Sequence, residues 1–283
     1  MNNNLKTISF STEYFNVTDT LECGQIFRYF KICENGYLVI SKNKPCIIKQ
    51  ENNQVLITVN SDDEQYFCNY FDLLTDYNGI YTRATASNYE ILVKSAQLGK
   101  GVRILKQDSE EMLISFLISQ NNNIPRIKGS LNKICEQIGD KADFCGYEYY
   151  TFPTVEKMLA QSEDFYKNCG LGYRSGYIFN ACNALKEGLT QKLELLDISK
   201  RKEELVKIKG IGEKVADCML LFGMYQTDSF PVDTWIEKIY REDFKGSLTD
   251  RKKITQFFIT EFGKDSGYFQ QYLFYYKRTL SKK

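Results

Sequence analysis

Short segments rich in β-branched and aromatic residues follow one another over the first sixty positions of the chain. Asparagine, glycine and proline separate them, as in the turns between neighbouring strands. Strands joined by such short turns pair in antiparallel order. The pattern therefore predicts an antiparallel meander with strands at 27–32, 36–41, 45–50 and 54–59.

From about residue 88 onwards, apolar residues recur at the spacing of amphipathic helices, and Gly, Pro or Asn occupies the short breaks. We expect an α+β fold: a small antiparallel β-rich N-terminal domain, residues 1–88, packed on a larger all-helical domain, residues 89–283. The predicted helices span 88–98, 109–119, 124–138, 154–161, 174–188, 199–207, 213–224, 234–242, 250–262 and 266–278.

The composition is that of an ordinary globular protein, with 43% hydrophobic and 26% charged residues in 283. The net charge of +1 identifies no partner, but residues 251–283 hold 8 basic and 2 acidic side chains. Such a basic end fits either a polyanionic partner or a solvated helical face.

The chain has no histidine, which excludes His general bases, Ser-His triads and His-ligated zinc. Nine cysteines are scattered without a Cys-x-x-Cys pair, so we expect free thiols in a reducing, intracellular setting and no iron–sulfur cluster. The first residues, MNNNLKTISF, contain no apolar signal core, and no segment is apolar enough to span a membrane.

The segment 205–217, LVKIKGIGEKVAD, predicts a tight hairpin between two helices, within about 199–224. Glycine permits close backbone approach, and the N–H groups that begin the second helix can bind a phosphate, so Gly210 and Gly212 are candidate DNA-phosphate contacts. A bare Gly-x-Gly is usually only a turn. In the context K-G-I-G-E-K-V-A-D, it resembles the helix-hairpin-helix DNA-binding motif.

Lys214 opens the second helix of this hairpin, and Asp233 in the segment 231–235, PVDTW, lies where a helix N-cap belongs. Taken singly, they are typical of a surface lysine and an ordinary cap. Together with the hairpin, they resemble the helix-hairpin-helix DNA glycosylases, in which a lysine at this position marks the bifunctional glycosylase/AP lyases. The resemblance implies that Lys214 is the nucleophile and that Asp233 stabilises positive charge on the sugar.

The resemblance narrows to the 8-oxoguanine DNA glycosylases at CGQIFRY, residues 23–29, and implies that the Gly24 carbonyl accepts the N7–H of the oxidised base. Further along, the residues 214, 218 and 222 share one helix face, as do 270 and 274. These positions are also typical of core packing. By resemblance, the remaining residues of the damaged-base pocket are Cys218, Phe222, Gln270 and Phe274.

Two further segments, SQNNNIPR at 119–126 and GLGYR at 170–174, resemble the parts of this family that face the opposite strand. The resemblance places Asn121 near the extruded nucleotide and Tyr173 in the base stack. It also implies that Arg126 and Arg174 contact the base opposite the lesion. One departure is Trp235, because many members have a histidine there, near a lesion phosphate.

The family implies a monomer acting on double-stranded DNA that contains 8-oxoguanine, preferably opposite cytosine, without a required cofactor. A structural cation at the hairpin carbonyls of Val206, Ile208 and Ile211 is implied as well. Two alternatives stay open: a helix-hairpin-helix glycosylase for another damaged base, and a non-catalytic DNA-binding module.

Overall fold

The computed structural model describes residues 4–281. The first three residues of the predicted N-terminal domain and the last two residues of the predicted basic chain end lie outside this range. The N-terminal part forms one antiparallel sheet with the strand order β1-β5-β4-β3-β2, which confirms the predicted meander. Its strands are β1 (Leu5–Ser11), β2 (Tyr29–Cys33), β3 (Gly36–Ser41), β4 (Lys44–Glu51) and β5 (Gln54–Asn60).

Strand β1 was not predicted. It is an edge strand, and each of its residues is exposed or half-buried. Its apolar and polar residues therefore alternate only weakly. It is held by pairing with β5, where Ile8 lies opposite Ile57 and the hydroxyls of Thr7 and Thr58 are 3.2 Å apart. A strand that depends on a distant partner leaves little signal in its own residues.

All ten predicted helices are present, and their ends agree with the prediction to within two residues, counting the π-helical turn that ends the 213–224 segment. Helical structure nevertheless starts before residue 88, which the prediction missed. The helices are α1 (Val17–Glu22), α2 (Glu64–Tyr70), α3 (Tyr77–Thr85), α4 (Glu90–Leu98), α5 (Ser109–Ser119), α6 (Ile124–Ile138), α7 (Val155–Leu159), α8 (Glu163–Asn168), α9 (Ser175–Lys186), α10 (Leu189–Leu195), α11 (Ile198–Val206), α12 (Glu213–Cys218), α13 (Thr234–Glu242), α14 (Arg251–Phe262) and α15 (Ser266–Leu280).

We expected the larger domain to be all-helical, but that part of the chain also contains two strands. A two-stranded hairpin, β6 (Lys141–Phe144) and β7 (Tyr147–Tyr150), follows α6. Phe144 and Tyr149 are buried against Leu38 and Ile40 of the five-stranded sheet. This hairpin covers one face of the sheet and attaches it to the helical part.

The segment between α4 and α5 connects the two parts from within. Arg103 is 1% exposed, and its guanidinium donates to the backbone carbonyls of Phe71, Tyr14 and Asp72. Its charge also lies 3.9 Å from the centre of the Tyr77 ring, where the ring's π electrons stabilise it. Arg103 therefore ties the loop after β1 and the loop after α2 to the segment that precedes α5.

Candidate active site

The helix-hairpin-helix predicted at about 199–224 consists of α11, a short loop and α12, which continues as a π-helical turn over Met219–Gly223. Gly210 has φ +108°, and a Cβ there would lie 2.4 Å from Cγ of Tyr177 on α9. Only glycine therefore fits this close approach. Lys202 and Asp217 form an ion pair at 2.8 Å that joins the two helices of the hairpin.

Lys214 is the second residue of α12, and its amine is held over an aromatic ring. Its Nζ lies 5.3 Å from the centre of the Phe116 ring on α5, and the side chain is half-buried. No side chain caps the start of α12, where Gly212 is exposed. The amine thus projects from the hairpin into a partly apolar enclosure, next to free backbone N–H groups.

Asp233 caps α13, as its position predicted. Its Oδ1 accepts hydrogen bonds from the N–H groups of Trp235 at 3.0 Å and Ile236 at 2.9 Å. Oδ2 accepts none among the described residues. Burial raises the pKa of the Asp233 carboxyl, although these N–H groups and the charges of Lys214 and Arg251 oppose the rise. One oxygen is thus committed to the helix, and the other is available to a ligand.

Lys214 and Asp233 line a single cavity of about 50 Å³ that also contains every residue predicted for the damaged-base pocket. The chain segments that supply it come from α5, α12, α15 and the loops at residues 24 and 231. Phe116, Pro231 and Gln271 were not predicted. The lining residues are Gly24, Phe116, Lys214, Cys218, Phe222, Pro231, Asp233, Gln270, Gln271 and Phe274.

The cavity walls are largely apolar. Phe222 stacks on Phe116 with ring centres 5.5 Å apart. Phe274, from the last helix, is half-buried and also lines the cavity. Burial raises the pKa of the Cys218 thiol to about 11, with the nearby Lys214 opposing the rise. Cys218 is therefore a neutral thiol at physiological pH, suited to contact with an uncharged ring.

Gln270 brings an unsatisfied acceptor into this apolar setting. Its Nε2 donates to the Pro231 carbonyl at 3.3 Å, while its Oε1 is buried and has no partner among the described residues. A buried amide oxygen without a donor costs free energy, about 1–3 kcal/mol. A ligand that donates hydrogen bonds to Oε1 would recover that cost.

Gly24 presents a second free acceptor. Its φ is +102°, and a Cβ would come within 3.2 Å of both Arg278 Nη1 and Ile124 Cδ1. Its carbonyl accepts no hydrogen bond from the described residues. The loop is fixed by Gln25, which is fully buried and binds the backbone of 103–105 through Nε2 and Oε1, at 2.6 and 2.9 Å. Gln25 was not predicted, although it directly follows Gly24.

The three consecutive asparagines have separate roles. Asn121 is exposed with φ +45°, a left-handed conformation that asparagine tolerates. Asn122 donates to the Ile118 carbonyl at 3.1 Å, and Asn123 caps α6 by accepting from the N–H of Arg126 at 3.0 Å. Arg126 itself is exposed in the first turn of α6. This loop therefore presents Asn121 and Arg126 to solvent.

Tyr173 is 57% exposed, whereas Arg174 is 6% exposed and engaged within the protein. Arg174 donates to the carbonyls of Gln120 through Nε at 2.7 Å, of Asn121 at 2.9 Å and of Leu171 at 3.2 Å. We had expected Arg174 to contact the opposite base. In this structure, Arg174 fixes the Asn121 loop, and its contact with the opposite base stays a prediction.

A larger open cleft of about 510 Å³ lies elsewhere, beside residues 106–109 and 223–225, and contains none of the predicted site residues. Among residues 4–281, no group of three or more Cys, Asp or Glu side chains is placed to hold a metal ion. No helix in the described part of the chain is long and apolar enough to cross a membrane. All nine cysteines are free thiols.

Two family models account for most of the chain. The first, 8-oxoguanine DNA glycosylase N-terminal domain, matches residues 7–113; the second, HhH-GPD superfamily base excision DNA repair protein, matches residues 114–264. The chain belongs to the 8-oxoguanine DNA glycosylases of the HhH-GPD superfamily. In this glycosylase chain, the two models meet at residues 113 and 114, and the domain boundary at residue 88 stays a prediction.

Named relatives agree with this family. A probable N-glycosylase/DNA lyase of Methanothermobacter thermautotrophicus is 30% identical over 229 residues, which cover 74% of this glycosylase chain and 72% of the relative. An N-glycosylase/DNA lyase of Saccharomyces cerevisiae is 28% identical over 263 residues, or 81% and 68% of the two chains.

A solved structure extends the agreement to the whole fold. It is the Clostridium acetobutylicum 8-oxoguanine glycosylase/lyase, in complex with double-stranded DNA containing cytosine opposite 8-oxoG. The two chains have a TM-score of 0.90 at 36% identity, with 95% of this chain and 93% of the other covered. The glycosylase chain therefore keeps the fold of its relatives over nearly its full length.

Proposed function

We propose that this chain is a bifunctional DNA glycosylase/AP lyase that removes 8-oxoguanine from duplex DNA inside the cell and then cleaves the strand. The observation that carries the proposal is the single cavity lined by the amine of Lys214, the carboxylate of Asp233, Gly24 and Gln270, whose Oε1 has no hydrogen-bond partner among the described residues. A non-catalytic DNA-binding module has no use for this combination. The relatives of this chain are named N-glycosylase/DNA lyases, which supports both activities.

The reaction begins when the damaged nucleotide is rotated out of the duplex, because a stacked base hides C1′ of its sugar. The free amine of Lys214 attacks C1′, and the bond from C1′ to the base breaks. The electron pair leaves with the base, which takes up a proton. Opening of the sugar ring then converts the adduct to a Schiff base between Nζ and C1′.

The Schiff base also accounts for strand cleavage. It withdraws electrons from the sugar and acidifies the C2′ protons. Loss of one such proton expels the 3′ phosphate by β-elimination, which breaks the strand. Asp233, as the carboxylate, stabilises the positive charge that develops on the sugar during base departure.

Recognition of the oxidised base rests on its changed hydrogen-bonding edge. Oxidation at C8 places a proton on N7, where guanine has an acceptor. The free carbonyl of Gly24 can accept a hydrogen bond from this N7–H group. Gln270 Oε1 can accept N–H groups from the Watson–Crick edge, while Cys218 and Phe274 contact the ring faces. An unmodified guanine would leave the Gly24 carbonyl opposite another acceptor, so binding would be weaker.

Borohydride reduction tests this function directly. We expect a covalent complex between the protein and a duplex containing 8-oxoguanine when borohydride is present, because reduction of the Schiff base makes it permanent. Duplexes containing guanine, thymine glycol or 3-methyladenine serve as controls. Trapping on one of the other lesions, but not on 8-oxoguanine, would identify a glycosylase for a different base. No trapping on any duplex would contradict the lyase activity.

We predict that the enzyme excises 8-oxoguanine best opposite cytosine. Cytosine offers the acceptors N3 and O2 to the exposed donors of Arg126, whereas adenine presents an N6 donor. Unpaired donors cost about 1–3 kcal/mol, so the preference should reach about tenfold in single-turnover excision rates. Arg126→Met should flatten the preference without abolishing excision, and Lys133→Met, on the same helix, should leave it unchanged. Equal rates opposite all four bases would contradict the prediction.

The remaining DNA contacts follow from the same placement. We propose that the backbone N–H groups after Gly210 and Gly212 bind a phosphate and that Tyr173 inserts into the stack left by the flipped nucleotide. A structural cation at the carbonyls of the hairpin stays a prediction, as does a monomeric state. None of the proposed steps requires a metal or redox cofactor.

A further inference from the structure

The first turn of α14 presents three exposed basic residues in a row, which we call the α14 basic turn: Arg251, Lys252 and Lys253. Two contacts fix its position. Lys252 Nζ lies 3.9 Å from Oε1 of Glu213, the first residue of α12, and Arg251 is ion-paired with Glu237 on α13. The α14 basic turn therefore lies beside the first turns of the two helices that position Lys214 and Asp233.

Arg251 is the member that pairs with α13, the helix that Asp233 caps. Its Nε and Nη2 donate to Glu237 Oε2 at 3.1 and 2.9 Å, and Glu237 lies one helical turn after Asp233 on the same face of α13. A guanidinium has five N–H donors, so three remain without an acceptor among the described residues. Its side chain is 48% exposed, which leaves these donors accessible from solvent.

A nucleotide in the cavity must leave two charges close to these donors. Its sugar is linked to one phosphate on each side, and Lys214 has to reach C1′ of that sugar. The phosphates remain at the mouth of the cavity, because an unpaired charge is costly to bury. Lys214, in the first turn of α12, and Asp233, at the start of α13, line the cavity, and Arg251 and Lys252 are ion-paired with Glu237 and Glu213 of the same two helices.

We propose that Arg251 binds a phosphate adjacent to the flipped nucleotide and thereby positions the lesion strand over the cavity, with Lys252 adding positive charge. The inference rests on the proposed function and extends it to a residue outside the hairpin. Arginine suits this role because its planar fork can donate two parallel hydrogen bonds to phosphate oxygens. The chain contains no histidine, so an imidazole cannot make the contact.

Binding of a duplex with a tetrahydrofuran abasic analogue tests the contact without any chemistry. For Arg251→Gln, we expect affinity to fall about fivefold near 0.1 M salt, and the slope of log affinity against log salt to decrease by about 0.9, the value for one lost phosphate contact. The matched control is Arg241→Gln. Arg241 binds the same Glu237 at 2.6 Å and is 53% exposed, but it lies one turn farther from Asp233, and we expect no change in slope.

A neutral methylphosphonate identifies the phosphate. Placed in turn on the 5′ and 3′ sides of the abasic analogue, it should weaken wild-type binding on one side and leave Arg251→Gln unaffected there. If Arg251→Gln and Arg241→Gln have the same affinity and slope, Arg251 binds only Glu237 and the inference is wrong. The binding measurements do not require the covalent complex that borohydride traps. Failure of the wild type to form that complex would therefore contradict the proposed function and not the contact of Arg251.

Discussion

Lys214→Gln will abolish base excision and strand cleavage while leaving lesion binding largely intact. Glutamine keeps a similar length and a polar end, but it has no amine that can form a covalent bond to C1′. We expect the single-turnover excision rate to fall by at least about 10⁴-fold, the order of loss when a covalent nucleophile is removed. The measurement is excision from an 8-oxoguanine duplex, with affinity determined in parallel.

Lys209→Gln is the matched control for that prediction. Lys209 is an exposed lysine of the same hairpin, outside the cavity, so the same substitution there should leave excision unchanged. A borohydride-trapped complex formed by Lys214→Gln would show that another amine is the nucleophile. Equal losses of affinity and rate would indicate that Lys214 serves only to bind DNA.

Asp233→Asn will reduce the excision rate by about 10²–10³-fold with little change in DNA affinity, because the amide cannot stabilise positive charge on the sugar. Its oxygen can still accept the N–H groups of Trp235 and Ile236, so α13 stays capped. Asp250→Asn is the control: Asp250 caps α14 in the same manner, with 2.8 Å to the N–H of Lys252, and lies outside the cavity.

The pH dependence of both rate and stability follows from the raised pKa of Asp233. Because the carboxylate is the active form, excision should fall as the pH drops through that raised pKa. A raised pKa also means that folding favours the protonated form, so ionisation lowers stability as the pH rises through it. Asp233→Asn should therefore melt at neutral pH no lower than the wild type. A clearly lower melting temperature would make Asp233 chiefly a structural residue.

The helices, the hairpin and the cap at Asp233 were predictable because each depends on residues that are close together in the chain. Helix 124–138, for example, combines a capping asparagine, a proline in its first turn and an apolar stripe. Strand β1 and the β6–β7 hairpin carry little of this local information. They are stabilised by partners far along the chain, such as Ile57 for β1 and the buried face of β3 for Phe144.

Within the site, recognisable motifs indicated the residue types but not all of their environments. Phe116 lies in an apolar helix in which nearly every side chain is buried, so nothing in its neighbourhood distinguishes it as a cavity residue. The resemblance of residues 170–174 predicted that Arg174 contacts the opposite base, and the structure adds that the carbonyls of Gln120 and Asn121 accept hydrogen bonds from its guanidinium. Such competition for donors becomes visible only when the loops are in place.

The sequence by itself determined ten of the helices, the hairpin with Lys214, and the family to which the chain belongs. The tertiary structure alone decided that Gly24, Lys214 and Gln270 share one cavity, and that Gln270 Oε1 is buried without a hydrogen-bond partner among the described residues. The physical reason is that local conformation depends on near neighbours, whereas a cavity depends on how α5, α12 and α15 pack against a loop from the other end of the chain. Burial, which raises the pKa of Asp233 and leaves Gln270 Oε1 without water, arises only from that packing.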